Sequence, residues 1–434
     1  MTPSGTRQQK KETRAKRRTL FIVLMMLASI LGLMKNVVFA KMLGPAELSY
    51  YGLMLIVVPF GVFISNLGLI NALNAVLPME SGARKDSIDD RVGATFTAML
   101  LLLALVSGIG LVLLSVAPIH DAATRISLTF SIAIIAASTV GEFYISLLRS
   151  AQQSVRVASL LLQRAIFVIG FGAAGAQLVG YQGVLAAELL SSIAVVWTAI
   201  LLWFRQLSPR WPVDWRRVMS LLKIGTPLML GQLVTMATFL LDRVFVATAL
   251  PDELGQYTFA TTSVLASVVV TGMLKQTLYP RLLFEFGAGA PIRAVRRRLW
   301  RALAPILVGG LMLIPVSVVA ARLLSKTWFP EYQPALSVLP YLYAGSVLGL
   351  FGLYEVLLIV EGRARFAAVS SFGGAAIVLV GGFAIVAREP SLRAFALLFL
   401  AGQAVTALLL VLSAELAGRH RQACATRSHE TNDD

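Results

Sequence analysis

The sequence predicts an all-α polytopic membrane protein, and three observations support this fold class. Of the 434 residues, 57% are hydrophobic and 14% are charged, and the mean hydropathy is +0.78. About a quarter of the residues of a soluble domain are charged. Apolar stretches of about 20 residues, the length that crosses a bilayer as a helix, recur along the chain. Basic residues cluster in alternate connections between these stretches. The composition therefore excludes a soluble fold.

Twelve apolar stretches are predicted to span the membrane. They cover residues 19–42, 50–78, 92–117, 126–148, 157–179, 183–204, 224–249, 255–280, 299–321, 336–360, 366–387 and 394–416. The apolar run of the first span is too long for a cleaved signal. The predicted organisation is a basic tail, an N-terminal six-helix bundle, an amphipathic linker, a C-terminal six-helix bundle and a second tail: 1–18, 19–204, 205–223, 224–416 and 417–434.

The basic residues orient the spans. One set of connections and tails carries 28 Lys and Arg, whereas the opposite set carries six. The positive-inside rule then places both termini in the cytoplasm. The cytoplasmic segments also account for the whole net charge of +16. This charge is therefore interpreted as a topology and anionic-lipid signal, and no nucleic-acid partner is expected.

The linker has a helical pattern of its own. Asp214 is placed to cap a short helix on which Trp215, Val218, Met219 and Leu222 share one apolar face. Two interpretations remain open: the segment connects two halves of the chain, or it is a helix that lies in the membrane interface.

An internal repeat relates the two halves. Residues 44–51 and 250–257 share Pro, Glu, Leu and Tyr in register at an offset of 206, and residues around Tyr144 match those around Tyr354 at an offset of 210. Both matches place span n on span n+6. Because six is an even number, the two halves insert the same way up. Parallel repeats of this kind are typical of transporters that bind substrate between the repeats.

Several motifs resemble those of the polysaccharide flippases. These proteins transport lipid-linked oligosaccharides of the O-antigen type, and they belong to the multidrug/oligosaccharidyl-lipid/polysaccharide exporter superfamily. The resemblance lies in the segments 40–47, 225–228, 241–243, 253–257 and 278–282. It implies two six-helix bundles in a V, with spans 1, 2, 7 and 8 lining a central cavity.

The resemblance also implies an activity and a location. The expected substrate is undecaprenyl pyrophosphate carrying an oligosaccharide repeat unit for cell-surface polysaccharide synthesis. Alternating access would move it from the cytoplasmic to the periplasmic leaflet of the bacterial inner membrane. Membrane lipids and the polysaccharide polymerase machinery are the other expected partners.

Charged residues inside the spans are the candidate site residues, because a charge in the membrane normally faces protein or a wet cavity. They are Lys35, Glu142, Arg164, Glu188, Asp242, Arg243, Lys275 and Glu355. Lys35 and Lys275 are predicted to bind the pyrophosphate, with Asp242 pairing with Lys35 in the empty site. The alternative is an ion pair that fixes the packing of two helices. Arg243 either lines the cavity or reaches the interface.

The remaining candidates have other predicted roles. Glu142 and Arg164 lie at equal distances from the connection between spans 4 and 5, so they form either a structural salt bridge or, through Glu142, a proton or cation site. Glu188 and Glu355 have no evident partner and are either solvated or bind a coupling ion. Asn66 and Asn71, together with Asn74, bind either sugar hydroxyls or neighbouring helices.

Two other functions compete with the flippase. A cation-coupled multidrug antiporter of the same fold predicts an acidic cluster, and a membrane-embedded glycan polymerase or ligase predicts a large periplasmic loop, which the short connections do not provide. The sequence has no motif for covalent catalysis and a single cysteine, so we expect a transporter rather than an enzyme, with no catalytic residue, metal site or cofactor. Coupling to a proton, to sodium or to the membrane potential is expected.

Overall fold

A computed structural model describes residues 4–80, 86–150, 153–203, 213–264, 291–360 and 363–430, together with Leu278 and Leu282. The described residues contain helices and connecting turns, with no β-strand among them. The chain forms two compact units, Met1–Leu233 and Val234–Asp434. The boundary falls inside a helix, beyond the predicted linker.

The first unit contains six complete helices and the beginning of a seventh. These are α1 (Ser4–Asn66), α2 (Leu69–Glu80), α3 (Asp86–Val116), α4 (Ala122–Ser150), α5 (Ser154–Val179), α6 (Tyr181–Trp203) and α7 (Trp215–Ala249).

Helix α1 contains the first predicted span and most of the second, joined at a single glycine. Gly44 has φ 69° and ψ 173°, a conformation that favours glycine, and Pro45 follows it. Proline has no N–H to donate and its ring clashes with the preceding turn, so the helix kinks here. The two predicted spans are therefore separated by a kink, without an intervening loop.

The second predicted span is interrupted at Gly68. Leu67 and Gly68 have φ values of 45° and 87°. The Asn66 side chain closes this break: its amide nitrogen donates to the carbonyl oxygen of Val62 at 2.6 Å, and its oxygen accepts from the Gly68 N–H at 2.9 Å. The Thr226 hydroxyl donates to the Leu67 carbonyl at 3.1 Å. The interruption is thus packed against the start of α7.

The later part of the predicted linker, residues 215–223, is the beginning of α7. The Arg217 N–H donates to the Asp214 carboxylate at 3.3 Å, so the predicted cap is present. The helix then continues without interruption to Ala249. Val218 is 1% exposed and packs in the core of the unit, whereas Trp215 and Met219 are exposed. The buried face is therefore only part of the predicted apolar face.

Hydroxyl and amide groups connect the helices of the first unit. The hydroxyls of Ser65 and Thr139 lie 2.8 Å apart, and the Gln163 amide donates to the Thr198 hydroxyl at 2.8 Å. Glycine brings α5 and α6 together, because a Cβ on Gly183 would lie 2.6 Å from the Cα of Gly175. Small residues and interhelical hydrogen bonds are typical of packing between membrane helices.

Helix α4 begins at an Asp cap outside the apolar span. The Asp121 carboxylate accepts hydrogen bonds from the Thr124 hydroxyl at 2.6 Å and from the backbone N–H groups of Ala123 and Thr124, each at 3.0 Å. These bonds, led by the Thr124 hydroxyl, lower the pKa of Asp121 because they favour the charged form.

The second unit repeats this construction. Its helices are the rest of α7, α8 (Leu254–Ser263), α9 (Ile292–Thr327), α10 (Leu339–Leu348), α11 (Glu355–Val360), α12 (Ala364–Val386) and α13 (Leu392–Glu430). Three 3-10 segments connect them: Pro251–Glu253, Pro330–Ser337 and Gly349–Tyr354.

Equivalent contacts in the two units support the predicted repeat. In the first unit a Cβ on Gly172 would meet the ring of Phe39, and in the second a Cβ on Gly382 would meet the ring of Phe245. The two phenylalanines are related by the offset of 206, and the two glycines by the offset of 210. The same aromatic–glycine packing therefore occurs in both halves of the chain.

The described residues include ten helices that are long and apolar enough to cross a membrane. One of them, Thr19–Asn66, is 48 residues long and contains the first predicted span and most of the second. The eighth predicted span begins as α8, and most of its remainder lies outside the described residues. The all-α membrane fold is confirmed, and the count of twelve spans stays a prediction.

Candidate functional site

Three charged side chains of the first unit meet between α1, α5 and α6. The Lys35 ammonium donates to Glu188 Oε1 at 2.5 Å, and the Arg164 guanidinium lies 3.8 Å from Glu188 Oε2. The Glu188 side chain is 3% exposed, whereas those of Lys35 and Arg164 are 20% and 33% exposed. We call these three residues the charge cluster. It contains two cations and one carboxylate, and its net charge is therefore positive.

The charge cluster lies inside the membrane-spanning part of the unit. Lys35 is 16 residues beyond Thr19, where the apolar span begins, or roughly 24 Å along the helix. Unpaired charge at such a depth is costly, and a net charge there is typical of a transport or binding site.

A buried tyrosine holds the carboxylate of the cluster. The Tyr51 hydroxyl donates to Glu188 Oε1 at 3.0 Å and lies 3.5 Å from Asn36 Oδ1. Tyr51 is fully buried, and its ring packs edge-on against Phe39. Glu188 therefore keeps a hydrogen-bond donor that does not depend on either cation.

A groove of about 230 Å³ runs between α1 and α5 beside the charge cluster. Lys35 and Arg164 line it, and most of the remaining lining is small or apolar: Met25, Ala28, Ser29, Gly32, Leu161, Ala165 and Val168. Both cations are thus reachable from the groove, whereas the carboxylate behind them is buried.

The second unit has a related pair at the position given by the repeat. The Tyr257 hydroxyl donates to Asp242 Oδ2 at 2.5 Å. Asp242 is 1% exposed, and its other oxygen, Oδ1, has no hydrogen-bond partner. The offset of 206 maps Asn36 onto Asp242 and Tyr51 onto Tyr257. Each unit therefore places a tyrosine hydroxyl near a residue of the Asn/Asp type 15 positions earlier.

The charges differ between the two units. The repeat offsets map Lys35, Arg164 and Glu188 onto uncharged residues, which are Leu241, Gly374 and Leu398. Conversely, the carboxylate of Asp242 replaces the neutral amide of Asn36. At these repeat-related positions, the scaffold thus carries a cationic site in the first unit and the carboxylate of Asp242 in the second.

The predicted ion pairs have different outcomes. Lys35 pairs with Glu188 in the first unit, and Asp242 Oδ2 accepts from Tyr257 in the second, while Asp242 Oδ1 has no partner. The predicted pair of Lys35 with Asp242 would join the two halves and stays a prediction. The predicted pair of Glu142 with Arg164 is wrong. Arg164 contacts Glu188, and Glu142 contacts Arg149 at 3.7 Å. Glu142 and Arg164 do line one small pocket, which agrees with their predicted common depth. Glu188 attracts both cations because it is the more deeply buried carboxylate.

The other predicted site residues have separate environments. The Asn66 amide is used at the break in the second span, and the Asn71 amide nitrogen is buried without a partner. The Nε atom of Arg243 is likewise buried without a partner. Lys275 lies outside the described residues.

The second unit also contains a cavity of about 220 Å³ between α7, α10, α12 and α13. Its polar lining consists of the side chains of Thr235, Ser346, Glu355, Ser371, Gln403 and Thr406. Two of these interact directly, because the Thr235 hydroxyl donates to the Ser371 hydroxyl at 3.2 Å. Within the described part of the chain, no group of three or more His, Cys, Asp or Glu residues is arranged to hold a metal ion.

Ten membrane-length apolar helices among the described residues, an internal sequence repeat and a net cationic cluster within a membrane-spanning unit are features of a polytopic transporter fold. A family model described as polysaccharide biosynthesis protein matches residues 15–283. The chain belongs to this family, and the predicted resemblance is confirmed. No curated protein sequence matches the chain.

Solved structures show the same fold at low sequence identity. The chain is similar to a multidrug resistance MATE family transporter of the MOP superfamily in its inward-facing conformation, with 15% identity, coverage of 93% of this chain and 99% of that one, and a TM-score of 0.72. It is also similar to the lipid II flippase MurJ in an inward closed conformation, with 14% identity, coverage of 92% and 87%, and a TM-score of 0.73.

A third similar structure is a MOP superfamily transporter from Pyrococcus furiosus whose binding pocket is described as having reverse polarity. It has 15% identity, coverage of 92% and 95%, and a TM-score of 0.59. The prediction of a transporter rather than an enzyme agrees with this fold and with the family.

Proposed function

We propose that the protein is a flippase for undecaprenyl-pyrophosphate-linked oligosaccharide repeat units. It moves them by alternating access from the cytoplasmic to the periplasmic leaflet of the bacterial inner membrane, with both termini in the cytoplasm. The supporting observation is the charge cluster, in which two cations share one carboxylate inside the membrane. A net positive site suits a substrate whose polar end begins with a pyrophosphate.

The competing function is a cation-coupled multidrug antiporter of the same fold. A drug antiporter that exports organic cations needs acidic groups where the substrate binds. No acidic residue lines the described groove, and the buried Glu188 beside it already pairs with two cations. The family and the sign of the cluster both favour the anionic, lipid-linked substrate.

The function is tested by deleting the gene and following the leaflet in which lipid-linked oligosaccharide accumulates. We expect accumulation on the cytoplasmic leaflet, restored to normal by the wild-type gene and only partly by Lys35→Ala at equal protein abundance. An Arg149→Ala variant is the control, because Arg149 is half exposed and binds Glu142 outside the charge cluster. Normal leaflet distribution in the deletion strain, or lost drug resistance alone, would refute the flippase.

We propose that Asp242 couples transport to a proton, to sodium or to the membrane potential, because its Oδ1 is buried without a partner. Asp242→Asn recreates the Asn36 and Tyr51 arrangement that the first unit contains. The variant is therefore expected to fold and to flip substrate. The increase in flipping rate that an imposed ion gradient causes is expected to be at least tenfold smaller than in the wild type. Flipping in proteoliposomes with and without a gradient measures this. An unchanged gradient response would exclude Asp242 as the coupling group.

A further inference from the structure

The carboxylate of Glu188 contacts the two cations that an anion entering the groove would need. It binds Lys35 at 2.5 Å and lies 3.8 Å from Arg164. Both cations line the groove between α1 and α5, but the carboxylate behind them is 3% exposed. An anion in the groove would therefore meet the two cations directly and compete with Glu188 for them.

Arg164 has unused hydrogen-bonding capacity. Its distance of 3.8 Å from Glu188 is that of an ion pair, beyond hydrogen-bond range. Within the described part of the chain, no acceptor hydrogen-bonds its guanidinium. This group carries five N–H donors in a planar fork that matches the geometry of a phosphate. A phosphate group in the groove would supply the missing acceptors.

Tyr51 allows the cations to leave Glu188 without freeing the carboxylate. Its hydroxyl donates to Glu188 at 3.0 Å from a fully buried position. When Lys35 turns toward the groove, Glu188 therefore keeps one hydrogen bond and its place in the unit. Lysine suits such a turn because its ammonium is carried on a flexible four-carbon chain.

We propose that Glu188 is a built-in competitor for the phosphate of the lipid-linked substrate, and that Lys35 and Arg164 are the cations for which the two compete. When the groove is empty, both cations pair with Glu188. An entering phosphate pairs with both cations in place of Glu188. The negative charge of Glu188 then repels the phosphate and limits its affinity. The apolar side chains of Met25, Leu161 and Val168 lie along the prenyl chain. This inference rests on the proposed function.

The charge cluster occurs in the first unit and is not repeated at the equivalent positions of the second. The repeat places Leu241, Gly374 and Leu398 at the equivalent positions of the second unit, where neither the cations nor the carboxylate exist. The scaffold therefore does not need the charge cluster in order to fold. Its presence in one half is explained by a ligand that this half binds.

Binding to the full-length protein in nanodiscs of zwitterionic lipid tests the proposal. The probes are farnesyl pyrophosphate, inorganic pyrophosphate and farnesol, measured by calorimetry. We expect Glu188→Gln to bind farnesyl pyrophosphate about tenfold more tightly, because a repelling charge is removed. Arg164→Gln and Lys35→Met are expected to bind it about tenfold more weakly. Farnesol should bind all variants equally, and inorganic pyrophosphate separates the contribution of the phosphate from that of the chain.

Glu415→Gln is the matched control. It removes the same charge from a carboxylate that pairs with Arg296 at 3.0 Å in the second unit, and we expect no change in affinity. If Glu188 had only a structural role, Glu188→Gln would weaken binding or leave it unchanged, and either result overturns the proposal. Should Glu188→Gln not fold, Glu188→Asp replaces it. The shorter acid holds Lys35 less well, so about threefold tighter binding supports the proposal and weaker or equal binding overturns it.

The outcomes separate this inference from the proposed function. If the wild-type protein binds neither pyrophosphate while its deletion still leaves lipid-linked oligosaccharide on the cytoplasmic leaflet, the competitor role is wrong and the flippase stands. If the predicted order of affinities appears while deletion leaves the leaflet distribution normal, the phosphate site stands and the flippase is wrong.

Discussion

Replacement of both Lys35 and Arg164 by methionine is expected to abolish flipping and to lower the free energy of unfolding by about 3–5 kcal/mol. Glu188 is 3% exposed, and in this double variant its remaining described hydrogen-bond donor is Tyr51. A buried carboxylate without a cationic partner loses far more solvation than one hydrogen bond returns. Unfolding in detergent mixtures and flipping in proteoliposomes measure the two effects separately.

Adding Glu188→Gln to this double variant is expected to restore most of the stability and none of the transport. The triple variant contains no unpaired charge in the cluster, and the second unit shows that the repeated scaffold packs with uncharged residues at these three positions. If the triple variant recovered transport along with stability, the cations would serve only the fold. If the double variant remained as stable as the wild type, the electrostatic account of the cluster would be wrong.

Gly183→Val is expected to destabilise the first unit by about 3 kcal/mol and to abolish transport, because it forces α5 and α6 apart. A Cβ at this position would lie 2.6 Å from the Cα of Gly175, and backbone cannot move aside as a side chain can. The separation also carries Arg164 away from Glu188. Thermal unfolding and flipping assays measure both consequences.

Gly170→Val on α5 is the matched control for this change. A Cβ on Gly170 has no atom within 4 Å, so the same substitution is expected to alter the melting temperature little and to leave transport in place. Equal losses for the two variants would mean that valine harms these helices through helix propensity, independently of contact between them.

Much of the fold is predictable because membrane spans are recognised in a sequence by the length and apolarity of a stretch. The interruption at Gly68 and the cap at Asp214 were also predictable, since glycine and aspartate act locally. The continuity of α1 through Gly44 was less so. A Gly–Pro pair ends a helix or kinks it depending on how the neighbouring helices pack, and the local sequence does not contain that information.

The charged residues of the site were predictable from the sequence, but their ion-pair partners were not. Lys35 and Glu188 are 153 residues apart, and a hydropathy pattern does not say that α1 lies beside α5 and α6. Equal depth in the membrane suggested Glu142 as the partner of Arg164. Depth, however, does not determine in which direction around its helix a side chain points. Glu142 is a third exposed and needs a partner less than Glu188 does. Burial decides which of the two carboxylates pairs with Arg164, and it depends on how the helices of the unit assemble.

Tyr51 is the functional residue that sequence reasoning missed, although a signal for it was available. The repeat aligns Tyr51 with Tyr257, and each lies 15 residues after the Asn36 or Asp242 position. A tyrosine and an amide or acid kept at one spacing in both halves indicate a contact that the scaffold preserves. The internal comparison therefore predicts a hydrogen bond where no single span does.

The repeated aromatic–glycine contact gives experiments on this protein an internal reference. Phe39 packs on Gly172 in one unit, and Phe245 packs on Gly382 in the other. An identical substitution made in each half meets the same local architecture twice, so a shared effect reports what the duplicated architecture requires. A difference between the halves reports what one half has acquired since duplication. The protein can thus be compared with itself, without the help of any homologue.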